Sequence, residues 1–147
     1  LVRGYVHDRN AALLGGVAGQ AGRFGNARNV ANLMQIHLDH GRYNEEQIFS
    51  KEVLREFTTR HFDDNRRGLG WDMKGPEADG PVSQYASSKT FGHTGFTGGM
   101  VWADPEENLI FVFLSNRVYP SVENNKLVEM NIRTRVQDLI YQSLGYQ

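Results

Sequence analysis

The chain has 147 residues, of which 39% are hydrophobic and 22% charged, a balance typical of a folded globular domain that excludes disorder as its main state. Its 16 Lys and Arg residues against 17 Asp and Glu give a net charge of -1 without a long run of one sign, so we expect no nucleic-acid partner. No stretch approaches the roughly 20 apolar residues of a membrane span. The absence of cysteine excludes disulfides, thiolate metal sites and a cysteine nucleophile. Because the chain starts at Leu1 and not at Met, we expect a piece of a longer protein.

The N-terminal part predicts a loop followed by two helices. The first 25 residues are dense in glycine and alanine and predict a packed loop. A helix is predicted over about residues 27–40, with Gly41 placed to end it, and a second over about 51–60, with Ser50 as its N-cap. The first helix has apolar residues at helical spacing and two candidate caps: Val30, Leu33, Met34 and Leu38, with Asn26 or Asn29.

The C-terminal part predicts strands and one helix. Residues 68–73 alternate between apolar and polar or small side chains and predict a strand with one buried face. Residues 75–88 are rich in Gly, Pro and Ser and predict a loop. A helix is predicted over about 125–144, with Gly145 at its end and one apolar stripe that would lie on the sheet.

An antiparallel hairpin is predicted from two strand-like runs. Residues 97–103 and 109–115 flank the turn-forming segment 104–108, Asp-Pro-Glu-Glu-Asn. Residues 109–114 are apolar on both faces, so we expect this strand to lie inside a sheet that is covered on both sides. The sheet would then need a further strand beyond this hairpin.

The segment 91–99, Phe-Gly-His-Thr-Gly-Phe-Thr-Gly-Gly, is the candidate functional motif. It joins an imidazole, two hydroxyls and four glycines directly before a predicted strand. Glycines let backbone N–H groups approach a ligand closely, and a histidine beside a threonine can orient or protonate it. The alternative is a tight turn into a strand with a structural histidine.

In this setting the chain resembles the C-terminal part of a serine beta-lactamase-related hydrolase. This is the family of class C beta-lactamases, D,D-peptidases and related esterases. The resemblance runs in order over nearly the whole chain and is most specific at the strand that carries His93-Thr94-Gly95, at Trp102–Glu106 and at residues 114–117, Leu-Ser-Asn-Arg. Further matching segments are 4–8, Gly-Tyr-Val-His-Asp; 14–22, Leu-Gly-Gly-Val-Ala-Gly-Gln-Ala-Gly; and 65–71, Asn-Arg-Arg-Gly-Leu-Gly-Trp.

The resemblance implies a site built from three motifs, of which this chain holds one. His93, Thr94 and Gly95 match the Lys/His-Thr-Gly triplet, and the backbone N–H of Phe96 would be the second oxyanion donor. No Ser-x-x-Lys, Tyr-x-Asn or Ser-x-Asn occurs in the sequence. We therefore expect the nucleophile upstream in the parent protein, no cofactor or metal, and no activity of this chain alone.

The resemblance also implies the architecture, the partners and the location. The implied architecture is an α/β (α+β) fold of antiparallel strands with flanking helices, which is incomplete in this chain. Residues 1–62 would belong to the helical subdomain, and residues 65–147 would form sheet strands and the C-terminal helix. The partners would be the missing N-terminal part of the domain and a small-molecule or peptidoglycan-like substrate, and the chain alone could form a homodimer. The location would be periplasmic or on the cell surface of a bacterium. Gln20 and Arg23 stand where relatives usually carry His and Leu.

One alternative function belongs to another class. Residues 65–69 and 116–141 most resemble a beta-lactamase-like module fused behind a family 3 glycoside hydrolase. The chain would then be a non-catalytic binding or spacer module of a beta-N-acetylhexosaminidase-type glycosidase, whose chemistry lies outside this sequence. An upstream Ser-x-x-Lys in the parent would favour the enzyme, and its loss the module.

Other candidate ligands are interpreted structurally. His37, Asp39 and His40 have helical spacing, but without a nearby third metal ligand we expect them on the solvent face of a helix end. Trp71 and Trp102 are expected to pack in the sheet and not to stack on a ligand. His7 and Asp8 would belong to a structural loop, as would His61, and the glycines at 16, 19 and 22 lack the spacing of a dinucleotide site.

Overall fold

A computed structural model describes residues 3–75 and 80–147 as a mixture of helices and antiparallel strands, which confirms the predicted fold class. No helix in this described part is long and apolar enough to cross a membrane. The helices are α1 Arg9–Leu13, α2 Ala27–Leu38, α3 Lys51–Phe57, α4 Lys126–Glu129 and α5 Ile132–Ser143. The strands are β1 Arg42–Tyr43, β2 Glu46–Gln47, β3 Asp72–Met73, β4 Phe91–Thr94, β5 Met100–Asp104 and β6 Leu109–Phe113.

The larger sheet is antiparallel throughout, with the strand order β3-β4-β5-β6. Its register places His93 opposite Val101 and Trp102 opposite Phe111. The β5–β6 pair confirms the predicted hairpin, although β5 begins only at Met100 because the preceding residues form a turn. A separate two-stranded hairpin, β1–β2, follows α2 and was not predicted.

Helices cover both faces of the sheet. Trp102 and Phe111 pack with Tyr141 of α5 on one face, while Phe91 and Ala103 pack with Met34 of α2 on the other. This arrangement explains why β6 is apolar on both faces. Within the described residues β6 is the last strand in the order, so the expected neighbour on its free side is not seen there and stays a prediction for the complete sheet. Helices α2 and α5 pack on the two faces of β6, whereas its edge is unpaired in the described residues.

The helix caps follow the sequence. The Asn26 side chain accepts from the N–H of Asn29 at 3.1 Å, and the Asn29 side chain accepts from the N–H of Asn26 at 3.0 Å, a reciprocal capping box at the start of α2. Ser50 Oγ accepts from the N–H of Val53 at 3.2 Å and caps α3. Both predicted helices are confirmed, and each ends two or three residues earlier than predicted. Gly41 donates its N–H to Ile36 O at 2.7 Å just beyond the end of α2.

Three sequence predictions need correction. The strand expected over 68–73 shrinks to β3, and Asp72 is buried with Met73 because Arg66 pairs with its carboxylate. The expected helix over 125–144 is broken between α4 and α5, where Asn131 has a φ of 49°. The predicted loop of the first 25 residues contains the short helix α1, which Asp8 caps.

The loop predicted over 75–88 is partly described. Residues 76–79 lie outside the described residues, and residues 80–88 contain neither helix nor strand, as predicted. This segment is fixed to the sheet and to α5 by polar contacts. The N–H of Ser83 donates to the Gln137 side chain at 2.8 Å, and that of Ser87 donates to Asp104 at 2.8 Å.

Candidate functional site

The predicted motif, residues 91–99, forms β4 and the tight turn that leads from β4 into β5. Gly98 donates its N–H to Gly95 O at 2.9 Å, which places Phe96 at the second position of a β-turn. The Phe96 side chain is 65% exposed. Within the described parts of the chain, the N–H of Phe96 and the hydroxyl of Thr94 donate to no protein group. Two donors at this turn are therefore open to a ligand.

The glycines of the motif occupy their positions for different structural reasons. Gly98 has a φ of +108°, and a Cβ there would collide with the Ser115 hydroxyl. A Cβ at Gly92 would collide with the carbonyl of Val101 on β5. At Gly95 the nearest atoms to an added Cβ belong to Gly99, at 3.8 Å. The fold thus requires glycine at 92 and 98, whereas a Cβ at position 95 would make only ordinary van der Waals contacts with Gly99.

Two arginine side chains donate hydrogen bonds to carbonyl groups of the turn. Arg117 donates from Nε to Phe96 O at 2.8 Å, its guanidinium lies 4.8 Å from the Phe96 ring centroid, and its own N–H donates to Thr97 O at 2.9 Å. Arg133 is buried and donates to Gly98 O at 3.2 Å and to Gly99 O at 3.1 Å. Burial lowers the pKa of Arg133, and the nearby charge of Arg117 lowers it further.

The ring of His93 is fixed by two hydrogen bonds. Its Nδ1 lies 2.7 Å from Thr94 O, and its Nε2 lies 2.9 Å from Nη1 of Arg67. A guanidinium has only donors and a carbonyl only accepts. These partners therefore assign the proton to Nδ1 and the acceptor lone pair to Nε2, which is the neutral form of the ring.

Asp72 joins this cluster from β3. Its carboxylate accepts from Arg66 Nε at 2.7 Å and from Arg66 Nη2 at 3.1 Å, and Arg67 Nε lies 3.7 Å from the same carboxylate. Only 3% of Asp72 is exposed, so this is a largely desolvated carboxylate with a bidentate partner. The contact of Arg67 with His93 was not predicted, although residues 65–71 already stood out in the sequence.

The four predicted site residues lie together, but their side chains diverge. His93 and Thr94 are consecutive on β4 and point to opposite faces of the sheet. The ring of His93 reaches Arg67, whereas the Thr94 hydroxyl and the Phe96 N–H stay without protein partners in the described residues. His7 lies near the motif, its ring centroid 5.6 Å from that of Phe96.

His37, in α2, and His40, just after it, have different surroundings. His37 packs its ring against Trp71, with centroids 5.2 Å apart, and against Phe91, with centroids 5.7 Å apart, while its Nδ1 lies 3.0 Å from Leu33 O. The expectation of a solvent face is wrong for His37, because it fills space beneath the sheet, and holds for the exposed His40. No group of three potential metal ligands occurs within the described residues. Trp71 and Trp102 pack in the sheet as predicted.

Comparison with known proteins gives the family. The sequence model described as Beta-lactamase matches residues 2–131. The chain belongs to the beta-lactamase family. Two relatives from Escherichia coli, O157:H7 and strain K12, are named "Putative D-alanyl-D-alanine carboxypeptidase" and are 41% and 40% identical over 121 residues, 81% of this chain. A relative of the same name from Salmonella agona is 38% identical over 126 residues, 84% of the chain.

The fold comparison agrees with this family. A crystal structure of a beta-lactamase from Mycobacterium bovis superposes with a TM-score of 0.53 at 21% identity, covering 76% of this chain and 46% of that one. The chain spans only 28% of the length of the two Escherichia coli relatives. The described residues are therefore part of a larger family fold.

Proposed function

We propose that this chain provides the third motif of a serine acyl-transfer site that hydrolyses amides or esters through an acyl-enzyme. The observation that carries this proposal is the turn at Phe96, whose N–H has no acceptor within the described residues. Arg117 and Arg133 hold that turn in place, so the donor is oriented before a substrate arrives. Such a preorganised donor is what stabilisation of an oxyanion requires.

The proposed reaction has two steps. A serine hydroxyl from outside this chain attacks the substrate carbonyl and gives its proton to a base, and the resulting oxyanion accepts from the serine N–H and from the Phe96 N–H. Collapse of this intermediate breaks the carbonyl bond to the amine or alcohol, which leaves with a proton. Water then hydrolyses the acyl-serine ester and restores the hydroxyl. The Thr94 hydroxyl is available to bind the substrate beside the donor.

The proposed substrates are cell-wall peptides or beta-lactam-like amides. Support comes from the relatives that carry a carboxypeptidase name. Peptidoglycan lies outside the bacterial cytoplasm, so a periplasmic or cell-surface location belongs to this proposal.

The test labels the full-length protein with a fluorescent penicillin and with a fluorophosphonate, followed by mass mapping. We expect an adduct on a serine outside residues 1–147. Phe96→Pro removes the proposed donor at a turn position that favours proline, and labelling should slow by about 10²–10³-fold. Phe96→Ala is the matched control, because it keeps the N–H and removes only the ring. His93→Ala should also weaken labelling, because it removes the hydrogen bond to Thr94 O.

Two results would contradict the proposal. Equal labelling of Phe96→Pro and Phe96→Ala would exclude the backbone donor. The absence of an adduct from either probe, in a protein shown to be folded, would favour a non-catalytic binding or spacer module attached to a glycosidase.

A further inference from the structure

Arg67 is a cation of the candidate site to which the family motifs give no role. It precedes β3, 26 positions before His93 in the chain, and the fold brings Nη1 within 2.9 Å of the His93 ring. Its side chain is 49% exposed, so part of the guanidinium faces solvent. The contact joins a permanent charge to the strand that leads into the Phe96 turn.

The contact with Arg67 occupies one of the two ring nitrogens of His93. Since Nε2 accepts from Arg67 and Nδ1 donates to Thr94 O at 2.7 Å, both ring nitrogens are engaged. Protonation of Nε2 would place a proton where the guanidinium donates and would bring two cations into contact. In this arrangement the ring connects Arg67 to the backbone of β4.

We propose that Arg67 is a positioning residue that holds His93 in its neutral Nδ1–H form and itself supplies the fixed positive charge of the site. The second part rests on the proposed function, because the charge acts there on an anionic substrate. A guanidinium stays charged throughout the pH range of folded proteins and presents paired donors that match a carboxylate. Arg66, the neighbour of Arg67, binds both oxygens of Asp72, and Arg67 Nε lies 3.7 Å from Oδ1, the oxygen to which Arg66 Nε also donates.

The first test measures the state of the ring and does not depend on activity. The full-length protein is labelled with ¹⁵N-histidine, and the His93 signals are assigned from their absence in His93→Gln. We expect one protonated and one unprotonated ring nitrogen, with the proton on Nδ1. Arg67→Gln, whose amide is uncharged and shorter, should release this state and give averaged or charged-ring shifts, whereas Arg67→Lys keeps a charged donor and should preserve it. Unchanged His93 shifts in Arg67→Gln would overturn the positioning role.

The second test asks whether the positive charge of Arg67 favours a substrate that carries a carboxylate. It compares kcat/KM for an acyl depsipeptide whose leaving group ends in a carboxylate with kcat/KM for its carboxamide. We expect the full-length protein to prefer the carboxylate, Arg67→Gln to lose about ten- to a hundredfold of that preference, and Arg67→Lys to keep most of it. Arg55→Gln, which removes an exposed arginine of α3, is the control for net charge.

The outcomes separate this inference from the proposed function. Labelling by the neutral fluorophosphonate that persists in Arg67→Gln shows an intact fold and intact serine chemistry. A carboxylate preference that is absent in the wild type, or unchanged in Arg67→Gln, then overturns the assignment of the charge to Arg67. The absence of fluorophosphonate labelling in the wild type would overturn the proposed function, and the ¹⁵N measurement would still decide the role of Arg67 toward His93.

Discussion

Asp104, at the end of β5, shows how a buried carboxylate is stabilised in this fold. It accepts from the N–H of Ser87 at 2.8 Å, from the Ser87 hydroxyl at 2.6 Å, from the Tyr141 hydroxyl at 2.7 Å and from the N–H of Glu106 at 3.1 Å. Burial alone would raise the pKa of Asp104, but these hydrogen bonds outweigh it and lower the pKa. Burial and Asp104 raise the pKa of Tyr141, so its hydroxyl remains a donor.

The lowered pKa of Asp104 predicts a dependence of stability on pH. Because the pKa is lower in the folded state, the stabilisation is present above the unfolded value of about 3.9 and is lost as the pH falls through the folded pKa. Asp104→Asn should lower the free energy of unfolding of the full-length protein by about 1–3 kcal/mol at pH 7, and by less at pH 3. Denaturant titration at both pH values measures this.

The matched control for this prediction is Asp39→Asn, which changes an exposed carboxylate after α2. Its effect on the free energy of unfolding should be small at both pH values, as expected of a surface substitution. An Asp104→Asn variant with the stability and the pH profile of the wild type would contradict the role of this network.

At the scale of helices and strands, what the sequence predicted was mostly local. The caps Asn26 and Ser50 accept from N–H groups three residues away, so a short sequence pattern was enough to predict where both helices begin. The hairpin was predicted from its turn for the same reason. The burial of Asp72 depends on its ion pair with Arg66, and the break before α5 depends on the backbone conformation of Asn131. The spacing of apolar residues in the sequence predicts neither feature.

Arg133 connects α5 to the turn between β4 and β5, and this contact supports a prediction. Arg133→Met should leave the carbonyls of Gly98 and Gly99 without a charged donor and lower the free energy of unfolding by about 1–3 kcal/mol. Hydrogen exchange of a peptide spanning residues 91–99 should become faster in the full-length protein. Arg135→Met, an exposed change on the same helix, is the control, and equal exchange in both variants would contradict the contact's role.

At the scale of the molecule, the sequence located the site motif but not its surroundings. Residues 91–99 carried the resemblance, and the structure places them in β4 and the turn after it, where the N–H of Phe96 has no acceptor within the described residues. Arg67, Arg117 and Arg133 reach that motif from distant positions in the chain, and contacts of this kind depend on the packed fold. The assignment of residues 1–62 and 65–147 to two parts of the family fold stays a prediction.

The edge of the sheet supports a last prediction, for residues 1–147 produced alone. In the described residues β6 is paired on one side only, and exposed apolar side chains follow it at Leu114, on α4 at Val128 and directly after α4 at Met130. An unpaired strand edge beside apolar surface is a template for association. We therefore expect the isolated chain to form dimers or larger species at micromolar concentration and to bind a dye specific for apolar surface.

Light scattering at increasing concentrations, with dye fluorescence on the same samples, measures this association. Co-expression of residues 1–147 with the remainder of the full-length protein as a second polypeptide should replace the self-associated species by a one-to-one complex and reduce dye binding. That result is expected if the exposed edge and apolar surface are covered within the complete domain. A monodisperse monomer of the isolated chain that binds no dye would show that helices on the two faces of β6 are enough to protect a strand with a free edge.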